Sequence, residues 1–242
     1  MSRIHLAAAA AAAATLAGAA SASQLSVLDE GTGFWEAGTA YADASPEWFA
    51  VARHAASVGD WEMGVGDSLP GAFDEGHLTW TDGATYGFEL AYDGDVLSWS
   101  MSQGDALLES VAYDVASTSF DTIMLQLKAR NDQGGSAMGM VSNLTWDDGD
   151  GPEAVGDASI IWASNYGQGD DKVWAALGGA GDLGDSSWAI AGDLMLTWQD
   201  GTPTRDNLAL EFKAAQVVPL PAPVVLAGAG LLAAGVMRRR LG

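Results

Sequence analysis

From Trp61 onward, the hydrophobic residues of this 242-residue chain fall at every second position. Trp61, Met63 and Val65 alternate with small or polar residues. Tyr86, Phe88 and Leu90 do the same, as do Leu97, Trp99 and Met101, and then Ile123, Leu125 and Leu127. Successive side chains of a strand point to opposite faces, so this period puts one face on a core and the other in water. Turn signals punctuate the runs: Pro70-Gly71, Asp82-Gly83, Asp93-Gly94, Gln103-Gly104 and Gly134-Gly135. Further strand-like runs follow at Met138 to Trp146, Ala158 to Ala163, Val173 to Leu177, Trp188 to Trp198 and Leu208 to Phe212. Short strands spaced by about 8–12 residues point to a sandwich or barrel of antiparallel sheets, and the expected fold is a mostly β, jelly-roll-like antiparallel β-sandwich.

One stretch breaks the period. Ser45-Pro46-Glu47 combines a capping residue, a proline suited to the first helical position and an acid at the dipole's positive end. Trp48, Val51, Ala52 and Ala55 then recur at i, i+3, i+4 and i+7, and Gly59 follows as a stop. The pattern predicts one short helix over about residues 46–57. His54 falls beside its apolar stripe.

The hexapeptide pattern LTWxDG occurs three times, at Leu78–Gly83, Leu144–Gly149 and Leu196–Gly201. Separations of 66 and 52 residues are unequal, which excludes a solenoid or propeller repeat. Threonine and tryptophan favour strand, and Asp-Gly then turns the chain through a glycine with positive φ. Each copy reads as a strand end. The functional alternative is that Trp80, Trp146 and Trp198 form a stacking surface for carbohydrate.

All 32 acidic residues lie between Asp29 and Glu211, with only Arg53, Lys128, Arg130, Lys172, Arg205 and Lys213 among or near them. The stretch from 23 to 216 therefore carries a net charge of −26. Such a field repels phosphate backbones and argues against nucleic acid as a partner. The absence of cysteine excludes thiol catalysis and thiolate metal sites.

The two ends differ from this middle. Arg3 and His5 precede an apolar run from Leu6 to Ala17, and Ala20-Ser21-Ala22 fits an A-x-A cleavage site. Residues 1–22 are expected to be a helical export signal cut after Ala22, leaving residues 23–216 as an extracytoplasmic domain. Residues 217–242 begin with the stiff stretch Val218-Pro219-Leu220-Pro221-Ala222. An uncharged run over 223–237 and the basic stop Arg238-Arg239-Arg240 follow. The uncharged span fits the roughly 17–25 residues of a transmembrane helix, with the arginines left in the cytoplasm.

This tripartite tail resembles the VPLPA-CTERM signal, a variant of the PEP-CTERM sorting signals of Gram-negative bacteria. The resemblance implies processing by an exosortase-like transpeptidase, a transient inner-membrane anchor, and delivery to the cell surface or extracellular matrix. An ordinary permanent anchor is the alternative. A second resemblance runs through WEMGVGD at Trp61, HLTWTDGATYGFELAYDGDVLSWSM from His77 to Met101, FDTIMLQLKAR at Phe120–Arg130 and VSNLTWDDG at Val141–Gly149. These look like the choice-of-anchor W domain. That likeness implies an extracellular all-β domain and transfers no catalytic residues.

Candidate chemistry is sparse. Gly66-Asp67-Ser68-Leu69 spells the GDSL motif of a hydrolase family, and Asp74 to His77 supplies a D-x-x-H. That pair lies far downstream in the family but only nine residues past the serine here. His54 and His77 show no zinc-ligand spacing. Asp147, Asp148 and Asp150 in the turn Asp147–Gly151 offer oxygen ligands for calcium, with Asp170, Asp171, Asp182 and Asp185 as further acidic turns. No glutamate completes an EF-hand. Glu62, Glu75, Glu89, Glu109 and Glu211 are available carboxylates, and sequence alone pairs none of them. The residues point first to a non-enzymatic surface or matrix protein. A carbohydrate-binding module for exopolysaccharide is the second reading, and an envelope hydrolase is disfavoured.

Overall fold

The computed structural model describes residues 26–31, 46–54, 60–67, 73–115, 119–155, 160–164, 172–178, 182–204 and 207–215. The expected signal helix and transmembrane helix, with Ala20, Ala22, the motif 218–222 and Arg238 to Arg240, lie outside these residues. No described helix is long and apolar enough to cross a membrane.

Among the described residues fourteen strands follow in order. They are β1 (Ser26–Gly31), β2 (Pro46–Arg53), β3 (Met63–Asp67), β4 (Phe73–Gly76), β5 (Thr85–Tyr92), β6 (Val96–Gln103) and β7 (Ala106–Asp114). The second half contains β8 (Thr122–Ala129), β9 (Ser136–Asp147), β10 (Glu153–Ala154), β11 (Ile160–Ser164), β12 (Lys172–Gly178), β13 (Trp188–Gln199) and β14 (Leu208–Ala215). Sheet A has the order β1-β12-β8-β14-β2-β3-β4; sheet B runs β10-β9-β13-β5-β6-β7, with β11 also paired to β9. Every pairing is antiparallel.

The period-two pattern explains this architecture. In β5 the burial alternates strictly, with Tyr86, Phe88, Leu90 and Tyr92 inside and Gly87, Glu89 and Ala91 outside. β6 and β13 repeat the rule. The two sheets meet through aromatic residues. Phe212 of β14 lies 5.8 Å from Phe88 of β5 and 5.7 Å from Trp99 of β6. Trp48 of β2 stacks on Trp188 of β13 at 6.0 Å, and Trp188 stacks on Trp146 of β9 at 5.3 Å. Edge-on and offset ring pairs of this kind add to the apolar burial that holds the sheets together.

The predicted helix over 46–57 is corrected. Pro46–Arg53 is a strand, flanked by β14 on one side and β3 on the other. Trp48, Phe49, Ala50, Val51 and Ala52 are all buried, on both faces. A run buried on both faces shows no alternation, so its apolar spacing matched the helical template by coincidence. Proline at the first strand residue leaves the ladder intact.

The LTWxDG copies turn as expected. Gly83, Gly149 and Gly201 have φ of 72°, 103° and 124°. Only the second and third copies end regular strands. The first, from Leu78, is bonded by side chains instead: Glu62 accepts from the Leu78 amide at 3.2 Å, and Tyr86 Oη accepts from the Thr81 amide at 2.7 Å. Gly135, in the turn before β9, is required by close approach. A Cβ there would lie 1.9 Å from the Gln199 carbonyl oxygen and 2.6 Å from Asn131 Nδ2. Asn131 Nδ2 donates to the carbonyls of Gln199 and Gly201, at 3.0 and 2.8 Å. We expect Gly135→Ala to break this tie and lower the unfolding free energy by about 2–3 kcal/mol, measured by urea denaturation.

Candidate ligand groove on the outer face of sheet B

The outward positions of sheet B are small or polar. β6 contributes Ser98, Ser100 and Ser102; β5 contributes Gly87, Glu89 and Ala91; β13 contributes Ala191 and Asp193. Register brings Glu89 beside Ser100 and Ala191, and Gly87 beside Ser102 and Asp193. Side chains this short leave a groove of about 380 Å³ between the longer residues at its rim. That volume is at the lower end of the range for small-ligand sites.

A bulge shapes one wall. Between Ala191 and Asp193 the pairing with β9 slips by one residue, so that Thr145 pairs with Ala191 and Ser142 with Asp193. Asn143 takes a φ of 53°, which lets Leu144 return to the core. Bulges re-aim side chains in this way. Asn143 Nδ2 donates to Asp193 Oδ2 at 2.6 Å. The Thr145 hydroxyl donates to the Ala191 carbonyl at 3.4 Å, and the Ser102 hydroxyl to the Gly87 carbonyl at 3.4 Å. The groove therefore presents carboxylate and amide oxygens together with hydroxyls, and the aromatic residue that lines it, Phe88, is 3% exposed. Such a surface suits a ligand rich in hydroxyl groups. Nothing in the sequence marked it, because its parts come from four strands far apart in the chain.

The sequence-derived candidates fare differently. Trp80 and Trp146 are corrected as stacking residues: they are 8% and 3% exposed and face the core. Trp80 Nε1 donates to the Arg53 carbonyl at 2.8 Å. Trp198 is half-buried, packed against the core and 4.5 Å from the His54 ring. Trp80 and Trp146 are buried and Trp198 is packed against the core, so the three tryptophans form no shared exposed platform.

The Asp147–Gly151 turn is closed by its own backbone. Asp147 Oδ1 accepts from the amides of Gly149 and Gly151, at 2.8 and 3.2 Å. Asp148 Oδ1 accepts from the Asp150 amide at 3.5 Å. Among the described residues no three metal-binding side chains converge. Asp182 caps a short 3-10 turn (Leu183–Asp185) and accepts from the Gly184 and Phe120 amides and the Ser119 hydroxyl. Desolvation pushes its carboxyl up, but these three hydrogen bonds outweigh that and hold it below the ordinary range.

The GDSL serine, Ser68, lies outside the described residues, as do Asp170 and Asp171. Asp67 accepts from the Tyr113 hydroxyl at 3.1 Å and thereby links sheet A to sheet B. His77 is exposed, with Nδ1 3.4 Å from Glu62 Oε2. His54 is 9% exposed, more enclosed than its place beside a helical stripe implied, and its Nδ1 has no hydrogen-bond partner.

Burial pushes the His54 imidazole below its ordinary value, chiefly through desolvation, against smaller raising effects from a backbone hydrogen bond and from Glu62. The unfolded chain thus binds a proton that the folded chain resists. Stability is expected to be full above about pH 6.5 and to fall as pH drops through the folded value. Chemical denaturation between pH 5 and pH 8 should show this slope, and His54→Gln should flatten it.

No family model matches this chain, and no curated protein matches it.

Proposed function

We propose that this chain is an exported, non-enzymatic protein of a Gram-negative cell surface or extracellular matrix. An exosortase-like transpeptidase acts on the tail at 217–242 while the run 223–237 is held in the inner membrane. The observation that carries this reading is the layout: an apolar start, an acidic β domain, and VPLPA followed by an apolar run and Arg238-Arg239-Arg240. The place of β14 supports it. That strand ends at Ala215, between β8 and β2, so every described element precedes the sorting motif. The chain also passes repeatedly between the two sheets, in keeping with a jelly-roll-like sandwich.

The test is the intact mass and location of the mature protein in cells with and without the sorting enzyme. We expect loss of residues 1–22, and a cut near 218–222 only when the enzyme is present. A full-length, unprocessed chain in the cytosol would overturn the proposal.

The groove favours a second, compatible role in binding exopolysaccharide through hydroxyl recognition rather than ring stacking. Asp193→Ala removes the carboxylate that positions Asn143. It should weaken binding of a soluble exopolysaccharide about tenfold, roughly the value of a charge-assisted hydrogen bond. Binding unchanged in Asp193→Ala, measured by calorimetry, would remove the groove from the account. Chain shortening of the polysaccharide during the same experiment would instead indicate a hydrolase.

A further inference from the structure

The outer face of sheet B holds a second cavity besides the groove. It measures about 260 Å³ and lies where the start of β9 meets the end of β13. Ser136, Ala137 and Met138 line it from β9, and Thr197, Trp198 and Gln199 from β13.

One strand passes through both hollows. On β13, Ala191 and Asp193 border the groove, and Thr197 and Gln199 border the second cavity. These residues fall on the outward period of the strand, since Ile190, Leu194 and Leu196 are buried in the core. Gly192 and Trp198, at the centres of the two linings, are six residues apart, about 20 Å along a strand.

The surface between them is apolar. Met195 is outward on β13 and pairs with Met140 of β9. Met138 is outward two residues earlier on β9 and pairs with Thr197. All three methionines are half-buried, and Thr85 of β5 flanks Met195 on the other side. Methionine is flexible and polarizable, and it adapts to irregular apolar surfaces. A sugar ring offers such a surface on its C–H face and carries its hydroxyls at the edge. Ser136, Thr197 and Gln199 at one end, and Glu89, Asn143 and Asp193 at the other, can hydrogen-bond those hydroxyls. Polar hollow, thioether saddle and polar hollow thus repeat the chemistry of linked sugars lying along β13.

Resting on the reading of the groove as an exopolysaccharide site, we propose that the two cavities are the end subsites of one linear site. Its ligand is an internal stretch of a polysaccharide, a tetrasaccharide or longer, with C–H faces on Met138, Met140 and Met195. A disaccharide is too short to reach both ends.

The test is calorimetry of the full chain with a size ladder of oligosaccharides, disaccharide to octasaccharide, cut from the exopolysaccharide of the producing cells. Affinity should climb about a hundredfold between the disaccharide and the fragments that reach both ends, as linked subsites allow, and then level off. Met140→Ala with Met195→Ala should shrink that climb severalfold. Thr197→Ala should also shrink it, and it reads the far hollow even if the double variant loses its fold. If the intact polymer does not bind, the groove's role in binding falls and this inference with it. If the polymer binds but the disaccharide binds as tightly as the octasaccharide, the groove acts alone and the linear site is wrong. An undiminished climb in the folded variants would be equally fatal to the linear site.

Discussion

Trp48→Ala should lose about 3–5 kcal/mol of folding stability, seen as a large fall in the urea midpoint. Trp48 is fully buried in β2, the strand that joins β14 to β3. Its ring packs edge-on against Phe120 at 5.6 Å and is stacked with Trp188 at 6.0 Å. Truncation leaves a cavity between two sheets that other aromatics hold apart, so collapse around it is limited. Its indole Nε1 has no hydrogen-bond partner. Trp48→Phe therefore removes no bond and should cost far less than alanine. An alanine variant as stable as the parent would mean that the sheets do not meet at this ring. Against a typical total of about 5–15 kcal/mol, the alanine variant keeps little margin.

Glu211→Ala should cost about 3–5 kcal/mol, the second large effect. The Glu211 side chain is 5% exposed, and its partners Lys128 and Lys213 are 17% and 22% exposed. Deleting the carboxylate leaves two ammonium groups facing each other in a poorly hydrated place. Glu211→Gln keeps an acceptor oxygen and should recover part of the loss. Raising the salt concentration should rescue the alanine variant only slightly, because screening acts weakly on enclosed charges. Rescue to parental stability at 1 M salt would place the cluster in open solvent.

The two sheets differ in what their outer faces expose. Sheet B shows water small residues between the carboxylates of Glu89 and Asp193. In sheet A, β14 is buried along most of its length and paired to β8 on one side and β2 on the other.

Local pattern was enough for much of this protein. The alternation in β5, β6, β9 and β13 and the Asp-Gly turns at Gly83, Gly149 and Gly201 depend on residues close in sequence, and they were legible without coordinates. The charge that argues against nucleic acid and the composition of the two ends need no fold at all. What tertiary structure decided was which face each run buries and which distant strands meet. Pro46–Arg53 became strand because β14 and β3 bury both of its sides, a fact that no local periodicity contains. Trp80 and Trp146 went inward for the same kind of reason. The groove joins Glu89, Ser100, Asn143 and Asp193, and the lysine cluster joins Lys128, Glu211 and Lys213. Those meetings follow from antiparallel register between strands tens of residues apart, and register is set by packing across the whole sheet rather than by any one stretch of chain.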